Sequence, residues 1–288
     1  MRYFITFCIY SILFIFPSFT YSAVWTIHYP KALTDDDKRN EYPLAVLTLA
    51  LDKTGVRYKL IPSDKTLNQG KAVRQLKENR DINVFWGMTD KEREDGLLPI
   101  RIPYDKGLIG WRVLLTREED EQNFDRLTSL RSLLRYTAVQ GKDWPDTKIL
   151  QSNGFNVKTT DGFNGAYKAL RKGEGDFFPR SVIEVTAELK SLGNDSALRL
   201  DDKLVLQYPA ASYFFVNKSN LTLAKLIDIG LRRAIESGEF DNLFNNYFGG
   251  VITDLGLAER QIFRLSNPIM PKESPINNAS LWFEIEPK

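Results

Sequence analysis

The sequence predicts an α/β protein with a largely parallel sheet flanked by helices. Three observations carry this. Strand-like and helix-like segments alternate along the chain. Two strand-rich stretches, at residues 106–117 and 204–219, interrupt that alternation like connections between domains. Apolar residues make up 43% of the 288 positions, ample for one large or two medium domains.

"AVWTIHYP" (residues 23–30) reads as a short strand ended by Pro30. "YPLAVLTLALDKTG" places Leu44, Leu47, Ala50 and Leu51 at helical spacing, with Gly55 as the stop. "VRYKLIPS" alternates like a strand, "LNQGKAVRQLKEN" reads as a polar helix, and "DINVFWG" reads as a buried strand. The order is βαβαβ. "KGLIGWRVLLTR" is a strand with two glycines near its start, which suggests a bend between domains. "SLRSLLRY" is a short helix, and "TAVQGKDWPDTKILQSNG" is strand, turn, helix. Residues 155–193 repeat strand, helix, strand, helix, and "LVLQYPAASYFFVNKS" is a second connecting strand pair. Residues 221–250 form a long helical stretch broken near Gly238. The tail from Asn267 holds four of the 13 prolines and reads as an extended strap, with Trp282 and Phe283 packing on a domain.

The amino terminus reads as an export signal. Arg2 supplies positive charge, and residues 3–16 form an apolar run shorter than the roughly 20 residues of a membrane span. "PSFTYSA" then offers a cut after Ser22. The rival is an uncleaved anchor. The cut would remove Arg2 and Cys8, leaving a mature chain without cysteine and a net charge of 39 − 1 − 37 = +1. Such a chain has no disulfides and depends on its core.

Composition also excludes chemistry. Charge nearly cancels, 39 basic against 37 acidic residues, so nucleic acid is not an expected partner. With His28 the sole histidine and Cys8 in the signal, cysteine nucleophiles and multi-histidine metal sites are not expected. No cofactor motif appears, and none is expected.

Five phrases in order resemble the periplasmic solute-binding proteins of the amino-acid-binding type, family 3. They are "TGVRYKLIPS", "VFWGMTDKER" followed by "IPY", "YTAVQGKDW", "YKALRKGEGDFFP" and "AIESGEFDNLFNNYFG". The resemblance covers roughly residues 24–249. It implies a type II fold: two α/β lobes joined by two crossing strands. The expected division is residues 23–108 with 209–266 for the first lobe and 109–208 for the second. A tail, 267–288, packs on a lobe.

The resemblance also implies a ligand site between the lobes. Thr89 and Glu92 fit a capping box, T-x-x-E, at a helix start. That leaves Trp86 and Arg93. The matching arginine in the family holds a ligand carboxylate, a pairing suited to the planar guanidinium. Here the stretch from glycine to arginine is one residue shorter, and the other reading is a surface arginine paired with Glu94 or Asp95. Tyr104 borders the ligand. Gly141 and Lys142 lie where free backbone N–H groups could take an anion, with Asp143 as N-cap and Pro145 in the first turn. Trp144 either stacks on the ligand or fills the core. Where the family carries an ammonium-binding aspartate, this chain has Phe178, Pro179 and Arg180, with Glu184 one turn on as a substitute. If Arg180 faces the cleft, it joins Arg93 and the ligand is an anion, most simply a carboxylate. If not, it is a helix-start residue facing water.

The expected function is a monomeric, non-enzymatic periplasmic protein that captures such a solute, closes by hinge motion and meets an inner-membrane transporter, such as an ABC transporter, or a sensor. The alternative is a dehydratase-like enzyme on the same scaffold acting on a small carboxylic acid, with Glu184 as general acid.

Overall fold

The computed structural model describes residues 23–32, 38–191, 193 and 197–285. The expected signal and its cleavage site lie outside the described residues. No helix among those described is long and apolar enough to cross a membrane.

The chain opens with β1 (Trp25–Lys31), α1 (Glu41–Thr54), β2 (Tyr58–Thr66), α2 (Gln69–Lys77), β3 (Val84–Met88), α3 (Lys91–Gly96) and β4 (Leu98–Ile100). Pro30 does not end β1. The strand continues to Lys31 with a register shift between Tyr29 and Lys31, which accommodates a residue lacking the N–H for the ladder. Strands β1 and β2 pair in parallel. Asn83 joins β1 to β3: its N–H donates to the His28 carbonyl, and its side-chain oxygen accepts from the His28 N–H, both at 2.8 Å.

The second lobe follows: β5 (Trp111–Arg117), α4 (Glu121–Asp125), α5 (Leu130–Leu133), β6 (Thr137–Gly141), α6 (Pro145–Ser152), β7 (Asn156–Thr160), α7 (Gly162–Arg171), β8 (Phe177–Ser181), α8 (Val185–Ser191) and β9 (Leu198–Gln207). The chain returns through β10 (Ser212–Val216), α9 (Leu221–Glu236) and α10 (Glu239–Asp254), and ends its strands with β11 (Gln261–Arg264).

Strand β10 lies between β3 and β4, antiparallel to both. The second sheet runs β11-β9-β5-β8-β6-β7. The strand pairing is mixed rather than mostly parallel: β1 and β2 are parallel, β10 is antiparallel to both its neighbours, and the six-stranded sheet holds pairs of both kinds. The reason is the connectivity: β5 and β10, which bring the chain into each lobe from the other, run against their neighbours.

Helices α1 and α9 show how periodicity becomes packing. Leu223, Ile227, Leu231 and Ala234 form one buried stripe on α9, and Val46, Leu47, Ala50 and Leu51 form the buried face of α1. The helices meet at Gly230, where an added methyl would overlap the Ala50 carbonyl oxygen. Gly238, at φ 76°, makes the break between α9 and α10.

The two glycines before β5 serve the crossing. Gly107 has φ 77°, and a methyl at Gly110 would overlap the Tyr208 carbonyl oxygen on the returning strand. Glycine therefore lets the two connections lie against each other.

The carboxyl-terminal part departs from the expected division. Gln261–Arg264, expected within the first lobe, pairs in parallel with Leu204–Gln207 of β9 in the second sheet. Ser266 bonds Asn153 at the end of α6. The chain then passes back: the Ile269 carbonyl accepts from Lys91 N–H of α3, and the Phe283 N–H donates to the Lys106 carbonyl at 2.7 Å. The Trp282 ring lies against Gly107, and its Nε1–H donates to the Pro275 carbonyl.

Candidate functional site

A cavity of about 810 Å³ opens between the lobes. Trp86, Gly87 and Met88 from β3 and Tyr104 from the first crossing line one side. Arg112 from β5, Asp146 from α6, Arg180 from β8 and Glu184 line the other. Strand ends and the first turns of helices thus supply many of the polar groups, and aromatic rings share the remaining wall with aliphatic side chains such as Leu67, Met88, Ile109 and Val182.

The second-lobe wall is a buried charge network. Arg180 donates to Glu188 twice, Nε to Oε2 at 2.7 Å and Nη2 to Oε1 at 2.5 Å, and its Nη2 also donates to Glu184 Oε2 at 3.0 Å. Its guanidinium stacks over Trp144 at 4.8 Å and Phe178 at 4.9 Å. Burial works against the charged guanidinium, but Glu188 and Glu184 outweigh it and hold its pKa above the usual arginine value. Burial alone would push the Glu188 carboxyl up, and the Arg180 contacts oppose that.

Arg112 extends the network. Its Nη2 pairs with Asp146 Oδ1 at 2.6 Å, its Nη1 lies 3.6 Å from Glu184 Oε2, and its buried Nε–H has no partner. The Tyr208 hydroxyl also donates to Asp146 Oδ1, and burial raises that phenol well above its ordinary range. Burial likewise opposes the Arg112 charge, and Asp146 reverses the balance so that its pKa is raised. Glu184 bridges the two arginines.

The structure divides the expected site residues. Trp86, Tyr104, Arg180 and Glu184 line the cavity. Arg180 is neither a helix-start residue facing water nor an open cation, because two carboxylates already bind it. Trp144 lines the cavity and also stacks on Phe178 against the second lobe's core.

Thr89, Arg93, Gly141, Lys142 and Phe178 are not part of the cavity wall. Thr89 is buried, and its hydroxyl donates to Glu94 Oε1 at 2.6 Å. The expected capping box does not form. Thr89 N–H is still engaged with the Ala211 carbonyl, so the helix starts one residue later, and the Asp90 side chain caps it by accepting from Arg93 N–H. Glu92 instead reaches Lys148 of α6 at 2.6 Å. Arg93 is buried behind Phe85, 5.3 Å from guanidinium carbon to ring centre. It donates to the Met88 carbonyl and, at 3.1 Å, to Gln69 Oε1, and burial lowers its pKa.

The backbone at Gly141 and Lys142 offers no free anion cradle. Gly141 N–H faces Gln140 Oε1 at 3.3 Å, and Lys142 N–H donates to the Thr160 carbonyl. The Lys142 side chain is exposed and pairs with Asp161 at 2.5 Å. Asp143 is not the N-cap. Trp144 holds that position without a side-chain cap, and Pro145 takes the first turn. Phe178 packs with Leu115, Val139 and Phe163 in the second lobe's core.

Sequence reasoning missed Arg112, Asp146, Tyr208 and Glu188. A charged residue inside the apolar run "WRVLLT" was the available signal for Arg112.

Solved structures share this architecture. An ancestral arginine-binding protein bound to arginine aligns with 78% of this chain and 98% of its own, at 17% identity and a TM-score of 0.57. The periplasmic VFT2 domain of Bordetella pertussis BvgS aligns with 78% of this chain and 93% of its own, at 18% identity and 0.59. The chain has the two-lobed periplasmic binding protein fold. A substrate-binding protein of an amino acid ABC transporter is also similar, covering 79% of this chain and all of its own, at 14% identity and 0.55. No protein-family model and no curated protein matches the chain.

Proposed function

We propose that this chain is a periplasmic solute-binding protein. It captures a small polar, carboxylate-bearing solute between its lobes and closes by hinge motion, for uptake or sensing. The observation that carries the charge preference is the balance of side chains on the cavity wall. Lys31, Lys38, Arg39, Arg112, Arg180 and Lys190 stand against Glu41, Asp146 and Glu184. That excess favours an anionic group, even though Arg180 is held by Glu188 and Glu184, Arg112 by Asp146 and Glu184, and Lys38 by Glu41. Arg93 contributes by holding Gln69 and the end of β3 in place beneath the cavity rather than by meeting the solute.

The similar structures support the solute-binding reading. Two are described as binding arginine or serving an amino acid transporter, so a solute with both a carboxylate and a cationic group belongs in the same screen. Glu184 would meet such a cation. The enzyme reading draws nothing from the geometry, since Glu184 is shared between Arg180 and Arg112.

The test is native mass spectrometry of the protein purified from the periplasm, followed by a thermal-shift screen of organic acids and amino acids. A ligand at 100 times its dissociation constant adds about 2.7 kcal/mol of stability. Stabilisation by carboxylates supports the reading. Stabilisation only by solutes lacking a carboxylate overturns the charge preference, and conversion of the solute overturns the non-enzymatic role.

A further inference from the structure

The cavity wall extends beyond its charged floor. Besides Arg112 and Arg180 it includes residues of α8 and α10, one helix from each lobe, and the space they line is the annex. On α8 the wall residues are Thr186, Ala187 and Lys190, and on α10 they are Tyr247, Phe248 and Val251. Both sets follow i, i+1, i+4 spacing, so each helix presents a single face to the space. Tyr42 of α1 completes the wall. Its ring stands 4.5 Å from Phe248 and 5.1 Å from Tyr247, centre to centre.

These rings form an aromatic surface continuous with the polar floor. The Tyr42 hydroxyl is already spent, donating to the Tyr104 carbonyl at 2.7 Å, so the ring offers the annex its apolar face. At about 810 Å³ the whole space lies toward the upper end of the roughly 300–1,000 Å³ found for small-molecule pockets. A bare short acid placed on the arginine floor would leave the aromatic end wet.

The geometry points to a ligand of two parts: a carboxylate held at the Arg112 end and an aromatic extension lying in the annex between α8 and α10. This rests on the carboxylate reading above and names the class of solute more closely. Aromatic ring against Tyr42, Tyr247 and Phe248 supplies buried apolar area and edge-to-face contacts. Ala187 is the smallest of the α8 wall residues, and Lys190 on the same face is exposed.

The test compares 3-phenylpropionate and indole-3-acetate with propionate and succinate, by calorimetry on the full protein. The two aromatic acids are expected to bind at least tenfold more tightly than the short acids. Ala187→Phe, which fills the annex, and Val251→Arg, which charges its wall, are expected to weaken the aromatic acids at least tenfold more than succinate. Circular dichroism confirms that both variants fold, and two substitutions on different helices guard against the failure of either. Equal binding of short and aromatic acids by the wild type, or equal losses for both classes in the variants, overturns the two-part ligand while leaving the carboxylate reading intact. Binding of neither class overturns the two-part ligand, and the thermal-shift screen of organic acids and amino acids then decides the carboxylate reading separately.

Discussion

Asp105 sits at the first passage between the lobes and is fully buried. Its Oδ1 accepts from Gly107 N–H at 3.0 Å, and its Oδ2 has no partner. Burial pushes its carboxyl up from 3.8 to about 6, and the neighbouring Ser212 hydroxyl offsets part of that without completing a hydrogen bond. Between about pH 4 and pH 6 the folded chain keeps a proton that the unfolded chain has lost. Stability therefore falls as pH rises through that window and levels off above it. The difference of about two pH units corresponds to about 3 kcal/mol at 1.36 kcal/mol per unit. Asp105→Asn removes the charge, keeps an acceptor for Gly107 and gives Ser212 Oγ a donor. It is expected to stabilise the protein by about 1–3 kcal/mol at pH 7.5, with the gain shrinking toward zero at pH 4. Urea denaturation at the two pH values measures both. A destabilised variant at pH 7.5, or a gain that does not change with pH, would refute the reasoning.

Two further outcomes follow from packing and pairing. Glu188→Ala strands the buried Arg180 with Glu184 alone, so the loss should fall near the lower end of the roughly 3–5 kcal/mol for breaking a buried pair, read as a lower urea midpoint at unchanged slope. A loss below about 1 kcal/mol would show that Arg180 does not depend on Glu188. Gly230→Ala forces α9 away from the Ala50 carbonyl and should cost about 1–3 kcal/mol, whereas Gly249→Ala, which meets nothing within 4 Å on α10, should not destabilise. Thermal melts of the pair decide it, and equal melting temperatures would contradict the close helix contact.

The alternation of elements was legible because each is written locally. The α9 stripe repeats at helical spacing, and Gly55 and Gly238 adopt positive φ where the pattern stops. The site was only half legible. Trp86 and Tyr104 stand beside punctuating residues and could be placed by phrase. "TDKE" misled because Thr89 and Asp90 are both competent caps, and only the Thr89 bond to Ala211, far along the chain, decides between them. Arg112 reads as an odd charge in a core strand until Asp146 and Glu184, from distant elements, meet it. Arg180 was offered either facing the cleft or facing water; it lines the cavity, held by Glu184 and Glu188. Glu188, eight residues after Arg180 and on the helix that follows its strand, carried no signal of its own in the phrase.

The passage of β11 into the second sheet, and of the following segment back to α3 and Lys106, means that four covalent threads run between the lobes rather than two. Two adjacent strands can both bend and twist. Threads attached at separate points beside them resist torsion while still permitting a swing. The hinge motion proposed above would thereby be confined toward a single coordinate, and a rigid load fused to the carboxyl terminus would pull on the same strap that guides it.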